Sequence, residues 1–93
     1  MRISKTAIDL IKKNVQKYDN KATIYLFGSR TDDSKKGGDI DLLIISQQIT
    51  LQHVIQIKLS LYDALGEQKI DIVLAHETKK PFVKIAMQEG VVL

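Results

Sequence analysis

Between residues 5 and 18 the apolar side chains Ile8, Ile11, Val15 and Tyr18 recur at three- and four-residue intervals among lysines and Asp9. This spacing predicts a helix with one buried face. Ser4 stands where a cap belongs, with Ile3 and Ile8 at the two positions of a hydrophobic staple. "DNK" at 19–21 reads as a turn, and "ATIYLF" at 22–27, rich in β-branched and aromatic residues, as a strand. After a glycine-punctuated loop, "DIDLLII" at 39–45 predicts a second strand. Leu51, Val54, Ile55, Leu61, Tyr62 and Leu65 then fit a helix over 50–65, which Gly66 ends. Ile57 and Leu59 fall off that stripe, which makes them a candidate docking face, while most of the helix is expected to pack on a sheet. "KIDIVLA" at 69–75 is a third strand. A short helix follows over 78–90, with Thr78 as cap, Pro81 in its first turn and Gly90 as its stop. The closing "VVL" reads as an edge strand. No repeat, linker or low-complexity segment interrupts the order, so a single α+β domain spanning 1–93 is expected, a two-layer arrangement of helices on a small mixed sheet.

Composition narrows this picture in three ways. The 93 residues contain no run of about 18 apolar residues, so no membrane span is expected. The opening "MRISKTAIDLIKKN" lacks the apolar core of a secretory signal, and cytoplasmic location is the expectation. Cysteine is absent, which removes disulfide and thiolate chemistry. The net charge of +3 leans toward anionic partners, but a lysine-rich soluble surface accounts for it equally well. The lysine pairs 12–13, 35–36 and 79–80 are scattered, aromatic residues are few and tryptophan is missing. Nucleic acid thus stays a conceivable acceptor without a visible binding stripe.

The stretch "LFGSRTDDSKKGGDIDLLI" at 26–44 carries the candidate chemistry. Alternate side chains of a strand share a face, so Asp39 and Asp41 project together, away from Ile40, Leu42 and Ile44. Two neighbouring carboxylates repel, and a divalent cation with a preference for hard oxygen ligands, Mg²⁺ or Mn²⁺, removes the penalty. In the third strand Asp71 faces opposite to Ile70 and Ile72, on the side of Lys69 and Val73. If the two strands are neighbours, three carboxylates meet on one sheet face. Such a set can hold two ions roughly 3.5–4 Å apart for in-line phosphoryl or nucleotidyl displacement. Alone, the Asp-x-Asp triplet fits a solvated sheet edge as well, and it also occurs in sugar-nucleotide transferases.

Gly28-Ser29 follows a strand and precedes "RTDDS", long enough for one helical turn. Backbone N–H groups at such a corner can receive a phosphate, and glycine allows its close approach. Ser29 adds a hydroxyl donor. Arg30 can fork onto a phosphate or pair with Asp32 or Asp33. No Walker loop is present. The combination is more specific than its parts: Gly-Ser, nine residues, then Asp-Ile-Asp-Leu places phosphate donors beside metal ligands. His53 and His76 lack ligand spacing and are expected at the surface.

With Gly28, Ser29, Asp39, Asp41 and Asp71 in this order, the sequence resembles the DNA polymerase β-type nucleotidyltransferases, and in particular their minimal single-domain members. The likeness covers nearly the whole chain. The spacer "RTDDSKKGG" departs from the small-residue-plus-Gly segment often found there. The resemblance implies that Gly28 and Ser29, with Arg30 beside them, hold the nucleotide phosphates. It implies that Asp39 and Asp41 bind both metals, and that Asp71 completes one site and helps activate the acceptor hydroxyl. It further implies ATP as substrate, AMP as the group moved, and an antitoxin role beside a helical HEPN ribonuclease toxin whose tyrosine accepts the AMP. The competing class is a binding module that neutralises such a toxin by covering it, and a ligand-free structural domain is the third.

Overall fold

The computed structural model describes residues 3–28, 39–66 and 69–93. Among these the chain runs α1 (Lys5–Gln16), β1 (Thr23–Phe27), β2 (Ile40–Ile45), α2 (Leu51–Leu65), β3 (Ile70–Ala75), α3 (Pro81–Glu89) and β4 (Val91–Val92). The strands make one mixed sheet in the order β3-β2-β1-β4. β1 is antiparallel to both β2 and β4, whereas β2 and β3 are parallel. Parallel neighbours need a long crossover, and α2 supplies it. The expected α+β fold, helices on a small mixed sheet, is the fold observed.

Strand alternation sorts the apolar side chains onto two faces. Ile24, Leu26, Ile40, Leu42, Ile44 and Ile70 join Ile11 and Val15 of α1 and Ile57 and Leu61 of α2 in the main core. On the opposite face Leu43 and Ala75 meet Val83 and Ala86 of α3. α3 thus adds a partial third layer to the two expected. The cause lies in β2, where Leu42, Leu43 and Ile44 are consecutive and fully buried, so that the strand needs cover on both sides. Gly90 lets the chain turn back after α3: a Cβ there would meet the Ala86 and Leu26 carbonyl oxygens at 2.5 and 2.9 Å. That close approach brings β4 alongside β1.

Three local expectations are corrected. The stripe read on α2 is rotated from the face that packs. Ile57 is at the centre of the core, while Leu51, Ile55 and Leu59 are 73, 55 and 57% exposed. At 100° per residue the apolar positions of this helix span ~200°, so the sequence leaves open which edge faces inward. The exposed row is therefore Leu51, Ile55 and Leu59, and Ile57 leaves the candidate docking face. In α3, Thr78 is not the cap: the helix begins at Pro81, with Lys80 as N-cap and no side-chain cap bond. Proline disfavours helical backbone at the residue before it, so the helix cannot extend back to 78. His53, expected at the surface, is half-buried and structural. Its backbone N–H donates to Thr50 Oγ1 at 3.3 Å, its Nδ1 accepts from the Thr50 N–H at 3.2 Å, and its ring stacks on Tyr18 at 4.5 Å.

A buried polar pair ties the end of β2 to the turn after α1. Ser46 Oγ donates to Asp19 Oδ2 at 2.5 Å and accepts from the Gln48 and Ile49 N–H groups, while Asp19 Oδ1 accepts from the Lys21 N–H. These bonds hold the Asp19 carboxyl below its ordinary pKa, the Ser46 hydroxyl contributing most.

Candidate active site

The parallel register aligns Asp41 of β2 with Asp71 of β3, and the antiparallel register aligns Asp41 with Phe27 of β1. One row thus crosses three strands as Phe27, Asp41, Asp71. It lies on the face that carries Leu43, Val73 and α3, opposite the main core. The buried neighbours Ile40, Leu42 and Ile70 anchor each aspartate's backbone from behind. A rigid sheet is a better frame for such a set than a loop. Asp39 precedes β2, at the same end.

Gly28 closes the row beyond Phe27. Its φ is +79°, a left-handed conformation that side chains resist. A Cβ there would run into the Asp41 carboxylate, reaching its Cγ at 3.1 Å. The corner at the end of β1 and the central carboxylate are thus in direct contact, and glycine is required for both reasons. Ser29 and Arg30, the other two expected phosphate-binding residues, lie outside the described residues.

The electrostatics follow from this packing. Partial burial raises the Asp41 pKa, the charges of Asp71 and then Asp39 raise it further, and Lys69 opposes them. Lys69 Nζ lies 3.5 Å from Asp39 Oδ2 and 4.0 Å from Asp71 Oδ2. Its own pKa is raised, by Asp39 first and Asp71 second. Sequence reasoning placed Lys69 on this face but gave it no role. The signal was the alternation itself, since a residue two before Asp71 must share its side.

In kind, the donor set suits a hard divalent cation: carboxylate oxygens on one face, in a locally negative field. In arrangement, no three His, Cys, Asp or Glu side chains among the described residues are grouped to hold one ion. An ammonium group lies between Asp39 and Asp71 instead. A cleft of about 510 Å³ between β3 and the start of α3 is lined by Val73, Ala75, Glu77, Lys80, Phe82 and Val83. It includes none of the three carboxylates. Phe82 at its edge packs edge-on against Phe27, ring centres 5.9 Å apart.

A family profile described as polymerase beta, nucleotidyltransferase matches residues 9–93. The chain belongs to this nucleotidyltransferase family. Among curated proteins none matches it. The matched span contains every carboxylate and the glycine corner described above. Membership makes the protein, at a coarse level, a transferase of nucleotidyl groups, and nucleotidyltransferase domains typically use divalent metals. Among the described residues no helix is long and apolar enough to cross a membrane.

Proposed function

We propose that this nucleotidyltransferase moves a nucleoside monophosphate, AMP from ATP, onto a hydroxyl of a partner macromolecule, with Asp39, Asp41 and Asp71 as its reaction centre. One observation carries the reading: Asp41 is in register with Asp71 on the neighbouring strand, and its carboxylate packs against Gly28 on the other side. Nucleophile activation and phosphate binding are then side by side. Asp39 and Asp41 would hold the divalent ions, with Asp71 completing the set. When bound, these ions would supply charge stabilisation for the in-line displacement, in which the acceptor oxygen bonds to the α-phosphorus and pyrophosphate leaves, and would lower the acceptor's pKa. The chain's own residues do the rest. The Gly28 corner, with Ser29 and Arg30, receives the triphosphate, and Asp71 lies on the open edge strand where an acceptor hydroxyl can approach and give up its proton.

A site of this kind needs no protein nucleophile, because bound metal ions and phosphate donors stabilise the charge of the displacement. The acceptor in this reading is a hydroxyl of a partner. We assign that role to a helical HEPN-type ribonuclease, with this protein as its minimal nucleotidyltransferase antitoxin. The exposed Leu51, Ile55 and Leu59 on α2 give such a helical partner an apolar row to pack on. The same row favours a second reading, in which the protein neutralises its partner by binding alone.

The test uses labelled ATP, Mg²⁺ and the protein encoded beside this one, comparing wild type with the Asp39→Ala/Asp41→Ala variant. The transferase reading expects label on a partner hydroxyl from the wild type and none from the variant. If neutralisation persists in the variant and no label moves in either case, the binding module is the function.

A further inference from the structure

We propose that Lys69 is a built-in counterion of the carboxylate row, occupying with its ammonium group the seat that a divalent cation must take from it. The inference rests on the reading of Asp39, Asp41 and Asp71 as metal ligands. The observation behind it is that these three carboxylates share a face yet do not converge on a common point, while Lys69 Nζ sits 3.5 Å from Asp39 and 4.0 Å from Asp71. Without a cation, three carboxylates at one end of a sheet would repel one another. A lysine from the residue before β3 relieves that repulsion.

The same geometry makes the ammonium removable. The Lys69 side chain is 66% exposed, and its two partners are 41 and 44% exposed. Exposed pairs of this kind are weak, because water solvates both charges and a long side chain loses freedom in holding them. A divalent ion, with twice the charge and room for several oxygen ligands, outcompetes one ammonium at such a seat. Lys69 would then swing into solvent without disturbing a core contact. The consequence is a site held quiet in the metal-free protein, with a metal affinity set below what its three carboxylates alone would give.

This predicts that removing the ammonium tightens metal binding, a direction that merely structural damage does not produce. The experiment titrates metal-free protein with Mn²⁺, without nucleotide, following free Mn²⁺ by electron paramagnetic resonance. Wild type is compared with Lys69→Met, Lys69→Gln, Lys69→Arg and the Asp39→Asn/Asp41→Asn/Asp71→Asn variant. The Met and Gln variants should bind Mn²⁺ about three- to tenfold more tightly than wild type, the size expected for losing two exposed ion pairs. The Arg variant, which keeps the charge, should stay near wild type, and the triple Asn variant should not bind. Equal or weaker binding by both the Met and Gln variants, with wild type still binding, overturns the counterion role and leaves the metal site standing. Absence of binding by wild type and lysine variants alike overturns both.

Discussion

Asp41 pays twice for its position, once in lost hydration and once in repulsion from Asp71 and Asp39, and both raise its pKa. At neutral pH it is ionised in the folded and unfolded chain, so the folded state alone bears that cost. Acidification relieves it, because the folded carboxyl takes up its proton at a higher pH than the unfolded one does. In metal-free solution Asp41→Asn should therefore raise the urea midpoint at pH 7. The gain should shrink as pH falls through the raised pKa and vanish below the unfolded value of about 3.9. A pH series of urea melts decides it, and a gain that is flat with pH would rule the account out. Gly28 makes a complementary case. Gly28→Ala forces a side chain into left-handed backbone at a cost of about 1–2 kcal/mol. It also pushes the new methyl group into the Asp41 carboxylate. Nucleotidyl transfer should fall by more than about tenfold, as misplacing a reacting group by an ångström does. Activity close to wild type, alongside a modest loss of stability, would show that the contact between this corner and Asp41 is unimportant.

Among the elements, α2 carries the sharpest test, since the buried Ile57 and the exposed Leu59 are two residues apart on one helix. Ile57→Ala should cost about 2–5 kcal/mol, the loss of a fully buried aliphatic side chain and the cavity it leaves. Leu59→Ala should stay within about 0.5 kcal/mol. Chemical denaturation of the two variants measures both, and a loss at Ile57 as small as that at Leu59 would return the helix to the phase its sequence suggested. The β2 end offers another check through Ser46→Ala, which removes the hydroxyl that lowers the Asp19 pKa. The stabilisation from that bond is present above the unfolded carboxyl pKa and lost as pH falls through the lowered one. The variant should melt at a lower temperature at pH 7 and show a shallower loss of stability in acid. These elements also mark what could be read in advance. Every helix and strand among the described residues was legible, because β-branched runs and helical spacing leave few alternatives, and alternation correctly put Asp41 and Asp71 on the face away from Ile40 and Ile70. The phase of α2 was not legible, since its apolar arc is wider than the face that packs. Nor was the pairing of β2 with β3, which depends on a crossover that local pattern does not encode; the motif put the glycine corner beside the aspartates, but not which carboxylate Gly28 would touch.

On the scale of the molecule, the two faces of the sheet divide the labour. One is sealed by α1 and α2 over Leu26, Ile40, Leu42, Ile44 and Ile70. The other carries α3 over Leu43 and Ala75 and leaves the aspartate row partly exposed. The sealed face fixes the strands, and the stability it supplies lets the open face keep like charges together at a cost. That trade should be visible as a crossing of melting curves. Without divalent ions, Asp39→Asn/Asp41→Asn removes repulsion and should melt above wild type. With Mn²⁺ at 100 times its dissociation constant, binding adds about 2.7 kcal/mol to the wild-type folded state and nothing to the variant. For a chain this short that corresponds to a rise of roughly 10–20 °C. The order of the two melting temperatures should then invert, with wild type the more stable. Calorimetric scans of both proteins, with chelator and with Mn²⁺, give the four values needed. A wild type that melts above the variant in chelator would mean that Lys69 already neutralises the row completely. A wild type that does not respond to Mn²⁺ would mean that the aspartates are grouped for some purpose other than holding an ion.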